Sequence, residues 1–138
     1  MGTSDTTSVE ESLITTPENP VGYVMVIFAV VTGAIHLLLA SRVVGFSTLL
    51  ATLFALNGIG FFVGIVTYFT RFWRRELYLL AALYALATIV ALFVFPEVNL
   101  SLEVFYRNGS LNPMAVAAKS VEAGILVCAL YLYTRSGN

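Results

Sequence analysis

Long apolar runs separated by short polar breaks divide most of the chain. Four runs cover Val21–Ala40, Phe46–Thr70, Leu77–Phe95 and Met114–Tyr133. Each reaches or exceeds the roughly 18 residues that a helix needs to cross a bilayer. The pattern predicts an all-α polytopic membrane protein, folded as an antiparallel four-transmembrane-helix bundle.

Composition supports this class. The chain of 138 residues is 59% hydrophobic and 11% charged, whereas a soluble domain carries about a quarter charged residues. We expect one transmembrane domain over residues 21–134 and a short tail over residues 135–138. Residues 1–20 contain acidic side chains and no Lys or Arg, which predicts a disordered, solvated tail and no nucleic-acid partner.

Arginines on the connections set the orientation of transmembrane helices. They fall four to two on the two sides: Arg71, Arg74, Arg75 and Arg135 against Arg42 and Arg107. The bias predicts a multi-pass membrane protein with both termini in the cytoplasm. Trp73 beside the arginines is typical of an interfacial anchor.

The connection from Pro96 to Asn112 is the longest between the runs. Its mixture of charged and apolar residues favours a short amphipathic segment on the outer surface. Two N-x-S sequons begin at Asn99 and Asn108, and the sequence Asn108-Gly109 is a turn signal.

Small residues indicate where helices can approach closely. Gly60 and Gly64 form a GxxxG motif, and Gly58 precedes it. Such motifs let helix backbones pack by van der Waals contact in lipid. We expect a close crossing at these glycines, either within the bundle or between two copies of the chain.

The most informative polar residues are Lys119 and Glu122, three apart in the last run and therefore on one helix face. Ionisable side chains within spans almost always face the interior or a wet cavity. Depth along the helices brings four more side chains to the same outer half of the bundle: His36, Asn57, Tyr84 and Thr88. Thr32 shares a face with His36. The pair is either a self-neutralising structural feature or part of a proton-, ion- or ligand-handling site.

Other chemistry finds little support. One His and one Cys, Cys128, cannot supply the three or four ligands of a zinc site. No nucleophile–base arrangement or phosphate-binding loop is present. We therefore expect no cofactor and no bound metal, and whether the chain is an enzyme stays open.

Short motifs suggest a family. They are Gly33-Ala34-Ile35-His36-Leu37, Leu56-Asn57-Gly58-Ile59-Gly60-Phe61, Arg74-Arg75-Glu76-Leu77-Tyr78 and Lys119 in the last span. Over residues 21–134 the chain resembles the small four-span membrane proteins of halophilic archaea that have no assigned function. The resemblance implies a plasma-membrane location and no known activity. A fold-level analogy extends to small four-helix accessory subunits of quinol oxidases.

Three functions stay open. The first is a non-catalytic accessory or oligomeric membrane subunit, with lipid and either a second copy or another membrane protein as partner. The second is a minimal transporter or proton-handling protein that uses His36, Lys119 and Glu122. The third is an enzyme subunit that contacts a quinone or a lipid through Tyr84 and His36.

Overall fold

The computed structural model describes residues 13–45, 47–94, 106–107, 110–111 and 113–136. Within these residues the helices are α1 (Pro20–Val43), α2 (Thr48–Tyr68), α3 (Arg75–Val94) and α4 (Pro113–Arg135). They correspond to the four predicted runs, and their ends differ from the predicted ones by up to three residues. Within the described residues, three helical segments are long and apolar enough to cross a membrane: Pro20–Val43, Thr48–Tyr68 and Val116–Arg135.

The helix starts follow local chemistry. Asn19 caps α1 by accepting a hydrogen bond from the Val21 amide at 3.0 Å, and Ser47 caps α2 through the Leu50 amide at 3.1 Å. Side chains of this type satisfy amides that a helix N-terminus leaves without a partner. Pro20 and Pro113 each open a helix, where proline loses no helical hydrogen bond.

The segment before α1 is tied to the bundle. The amide of Thr15 donates to the Phe69 carbonyl at 2.9 Å, and that of Arg71 donates to the Leu13 carbonyl at 3.1 Å. Ile14 and Thr70 form an antiparallel bridge. The predicted disordered tail over residues 1–20 therefore has an ordered part, because residues 13–15 pair with the connection between α2 and α3. Residues 1–12 lie outside the described residues.

Within the long connection, β1 (Tyr106–Arg107) and β2 (Ser110–Leu111) pair antiparallel. Tyr106 lies opposite Leu111, and Arg107 lies opposite Ser110. Most of the predicted amphipathic segment, the predicted turn and the Asn residues of both sequons lie outside the described residues.

The helices run antiparallel in the order α2, α1, α4, α3. Helix α1 packs along both α2 and α4, and α3 packs along α4. At the end that carries both chain termini, called here the terminal end, the Arg75 side chain stacks 3.8 Å from the Tyr133 ring and donates to its carbonyl at 3.1 Å. The opposite end is called the distal end. A buried core fills the interior: Met25, Ala29, Phe61, Tyr68, Ala82, Ala85, Ile125, Ala129 and Leu132.

The close helix approach involves Gly58. A Cβ atom at Gly58 would lie 2.9 Å from the carbonyl oxygen of Gly33, so the α1 and α2 backbones meet there. A Cβ atom at Gly60 would collide with the hydroxyl of Tyr84, which is a side chain of α3. Around Gly64 no described atom lies within 4 Å of that position. Of these three glycines, Gly58 is therefore the one at which two helix backbones of the single chain approach closely.

This difference between two glycines of one helix is testable by a matched pair of variants. Gly58→Ala forces a methyl group against the backbone of α1, so we expect a loss of stability of about 1–3 kcal/mol. Gly64→Ala adds the same methyl group in open space and should not lower stability. Thermal unfolding of both proteins in mild detergent measures this. Equal unfolding temperatures for the two variants would contradict the assigned crossing.

Candidate functional site

The carboxylate of Glu122 is the centre of the polar interior. It is fully buried, 0% exposed. Its Oε2 accepts a hydrogen bond from the Thr32 hydroxyl at 2.7 Å, and its Oε1 accepts from the Thr88 hydroxyl and the Lys119 ammonium, each at 2.9 Å. The donors belong to α1, α3 and α4. The group of Thr32, His36, Thr88, Lys119 and Glu122 is called here the carboxylate cluster.

Lys119 neutralises the carboxylate and also reaches α3. Its Nζ donates to the backbone carbonyl of Thr88 at 3.1 Å. The Lys119 side chain is 19% exposed and that of Glu122 is 0% exposed, so the ammonium sits at the edge of the cluster. The ammonium of Lys119 and the carboxylate of Glu122 thus compensate each other's charge, as their three-residue spacing allows. Removing one member of such a buried pair would leave the other charge uncompensated.

His36 lies beside the carboxylate without a direct hydrogen bond to it. Its Nδ1 is 2.8 Å from the carbonyl oxygen of Thr32. A carbonyl can only accept, so Nδ1 carries a proton and donates it; this assignment follows from the geometry. The other nitrogen, Nε2, is 3.7 Å from Oε2 of Glu122. Nε2 thus faces the carboxylate across a gap longer than a hydrogen bond.

The predicted polar residues separate into two groups. His36, Thr88, Lys119 and Glu122 meet in the cluster. Tyr84 instead donates to the backbone carbonyl of Asn57 at 2.9 Å, so these two residues form a separate contact between α2 and α3.

Thr32 belongs to the cluster but is not among the polar residues predicted from the sequence to form the site. Thr32 is fully buried and links α1 to Glu122. The available signal was its position four residues before His36, which places both side chains on one helix face.

Aromatic rings border the cluster on the side of α2. The Phe54 ring lies 5.8 Å from the His36 ring, and the Phe61 ring lies 6.3 Å from it. Phe61 also packs edge-to-face on Tyr84, with 5.0 Å between ring centroids. These rings separate the carboxylate cluster from a second feature of the bundle.

That feature is an apolar cavity of about 270 Å³ between α2 and α3, called here the lateral cleft. Met25, Ala29 and Ile125 contribute to its lining from α1 and α4. Val63 on α2 and Leu80 on α3 also line it and are 59% and 58% exposed, so the cleft reaches the surface of the bundle. Gly60 and Gly64 line it as well.

Three rings pack edge-to-face toward the terminal end of the cleft. Trp73 lies 4.8 Å from Tyr68 and 5.3 Å from Tyr78, measured between ring centroids. The hydroxyls of Tyr68 and Tyr78 are 3.2 Å apart and share a hydrogen bond. Trp73 lines the cleft, and its indole Nε1 is buried without a hydrogen-bond partner among the described residues. Buried donors normally have a partner, so this nitrogen needs an explanation.

Metal binding has no support in the described part of the chain, where no three His, Cys, Asp or Glu side chains are grouped to hold an ion.

Comparison with protein families gives a match over most of the chain. The model of a family described as "Family of unknown function (DUF7475)" matches residues 7–133. No curated protein and no solved structure matches the chain. The geometry of the molecule is therefore the main guide to its role.

The buried pair makes a prediction about single and double substitutions. Lys119→Met alone and Glu122→Leu alone should each reduce folded yield, because breaking a buried pair costs about 3–5 kcal/mol. The double substitution removes both charges and should recover much of the yield. Size-exclusion chromatography of the detergent-solubilised proteins measures this.

Thr134→Val, a change at an exposed residue of the same helix, is the control. Wild-type yield for either single variant would refute the paired arrangement, since the Lys119 ammonium would then reach the distal end of the bundle by itself.

Proposed function

The chain belongs to the DUF7475 family of unknown function, and we propose that it is a four-span integral membrane protein that acts as a non-catalytic accessory or self-associating subunit. Its partners are membrane lipid and either a second copy or another membrane protein.

Length and connectivity support the membrane placement. Three helical segments are long and apolar enough to cross a membrane. Helix α3 has 20 residues, about 30 Å at 1.5 Å per residue, which equals the hydrocarbon thickness of a bilayer. Only residues 69–74 separate α2 from α3. If α2 spans the membrane, α3 therefore begins at the membrane face where α2 ends. Large exposed apolar side chains, such as Val66, Leu83 and Val127, then face lipid.

The carboxylate cluster is buried, and its carboxylate oxygens already accept hydrogen bonds from the protein. This observation favours an accessory role over chemistry at the cluster. Glu122 is fully buried, and both carboxylate oxygens accept hydrogen bonds from the protein. A satisfied polar network inside a bundle rigidifies it and specifies one packing. In this proposal the cluster joins α1, α3 and α4, and function resides on the outer faces of the helices.

Proton handling is the second candidate, and one observation favours it. His36 Nε2 faces Glu122 Oε2 at 3.7 Å, which places an imidazole nitrogen beside a carboxylate oxygen. The direct donors to Glu122 come from Thr32, Thr88 and Lys119, which makes this role secondary to the structural one.

Location and origin stay as the sequence predicts them. The arginine bias supports a placement of both termini in the cytoplasm. The resemblance to membrane proteins of halophilic archaea supports an archaeal source and a plasma-membrane location.

Single cysteines at the two ends of the bundle test the topology. In a Cys128→Ala background, Val44→Cys at the distal end should react with a membrane-impermeant maleimide added to intact cells. Ser136→Cys at the terminal end should react only after the cells are permeabilised. Both positions are exposed, so access depends on the membrane. The reverse pattern would overturn the orientation, and reaction at both positions would overturn the four-span arrangement.

Crosslinking in native membranes tests the accessory role. The wild-type chain should form a discrete crosslinked species with itself or with one other membrane protein. The Lys119→Met/Glu122→Leu protein, where folded, should form the same species because the cluster lies inside the bundle. A wild-type chain found only as a monomer would contradict the accessory role. Loss of the species in the folded double variant would contradict a function that resides on the outer faces of the helices.

A further inference from the structure

The lateral cleft has the properties of a binding site for a hydrocarbon chain. Its lining is almost entirely apolar, and it reaches the surface between Val63 and Leu80. The open space beside Gly64 lies in this lining. A volume of about 270 Å³ falls just below the roughly 300–1,000 Å³ of typical small-molecule sites, which suits one slender chain.

The indole of Trp73 adds one polar requirement to this site. Its buried Nε1 has no acceptor among the described residues, although an unpaired buried donor is costly. The other polar side chains of the lining are already engaged: Tyr84 donates to the Asn57 carbonyl, Thr67 donates to the Val63 carbonyl, and Tyr68 shares a hydrogen bond with Tyr78. An occupant therefore needs one hydrogen-bond acceptor near Trp73 and an apolar body elsewhere. A membrane lipid has this arrangement, because its ester or ether oxygens lie where the chain meets the headgroup.

Charge near Trp73 indicates which lipid headgroup fits. Arg71 and Arg74 flank Trp73 in sequence and are both exposed. Within the described chain neither of them forms a salt bridge with an acidic residue. Arginine binds phosphate oxygens well because its planar guanidinium presents several donors.

We propose that the lateral cleft binds one hydrocarbon chain of an anionic membrane phospholipid. The oxygen at the head of the chain accepts a hydrogen bond from Trp73 Nε1, and the headgroup phosphate lies beside Arg71 and Arg74. The site rests on the membrane placement proposed above and adds a ligand class to it.

Native mass spectrometry of the full chain in detergent tests the site. The probes are phosphatidylglycerol and phosphatidylcholine that carry identical acyl chains. The wild-type protein should retain phosphatidylglycerol several-fold more than phosphatidylcholine. Gly64→Leu fills the cleft and should abolish retention of both lipids, whereas Ala87→Leu adds the same bulk at an exposed position outside the cleft and should not. Wild-type retention by Gly64→Leu, or equal loss in the Ala87→Leu control, would overturn the site.

Two further variants separate the headgroup from the chain. Arg71→Gln/Arg74→Gln should remove the preference for phosphatidylglycerol and keep a similar retention of phosphatidylcholine. Trp73→Phe keeps an aromatic ring without the donor, and it should weaken retention of both lipids by about threefold to tenfold, the range expected for one hydrogen bond. Equal retention of the two lipids by the wild-type protein would refute the anionic headgroup. Unchanged retention by Trp73→Phe would refute the role of Nε1.

Photocrosslinking covers the case in which Gly64→Leu does not fold. Phosphatidylglycerol with a diazirine in its acyl chain should label wild-type peptides that contain Val63 and Leu80. Labelling spread over Leu83 and Val127, which face outward elsewhere, would overturn the site. Such a result would leave the four-span arrangement intact if the cysteine labelling agrees with it, so the two proposals fail separately.

Discussion

Burial of the Glu122 carboxylate is the constraint on which the rest of the bundle depends. A fully buried carboxylate is costly unless charge and hydrogen bonds compensate it. Compensation here comes from three helices, through Thr32 on α1, Thr88 on α3 and Lys119 on α4 itself. The partners must keep their distances to within a few tenths of an ångström, so the relative rotation of α1, α3 and α4 is fixed. Apolar packing alone would allow several rotations, because helices that are apolar on all sides present no single face for burial.

Helix α2 is held differently, and the lateral cleft follows from this. The hydrogen bonds to the Glu122 carboxylate come from α1, α3 and α4. Helix α2 joins the bundle through the Gly33–Gly58 approach to α1 and through aromatic contacts such as Phe61 with Tyr84. The tight side of α2 therefore faces α1, and its other side faces α3 across side chains. Three helices are joined at one carboxylate, and the close backbone approach of α2 is to α1, so the opening lies where α2 meets α3 only through side chains.

The sequence predicts the positions of the helices well, but it predicts poorly which face of each helix points into the bundle. Four apolar runs gave four helices, and the spacing of Lys119 and Glu122 gave their shared face. Residue depth at 1.5 Å per residue placed His36 and Thr88 at the level of Glu122. Depth does not determine rotation, however, and Asn57 at a similar level contributes its backbone carbonyl to a different contact. Helices that are apolar on all sides lack the amphipathic stripe that would show which face is inward. For the same reason the GxxxG motif could not show that Gly64 faces the cleft.

Two tyrosines explain how the cleft between α2 and α3 is held open. Tyr84 hydrogen-bonds the Asn57 carbonyl on the distal side, and Tyr68 hydrogen-bonds Tyr78 on the terminal side. These contacts are 11 residues apart on α2, or about 16 Å, and each places at least one phenol ring between α2 and α3. A ring used as a spacer needs room beside it, and Gly60 supplies that room under the Tyr84 hydroxyl. The absence of a side chain at Gly60 thus leaves room for Tyr84, which lies between α2 and α3. The GxxxG motif is usually associated with close helix packing, but here it lines an opening.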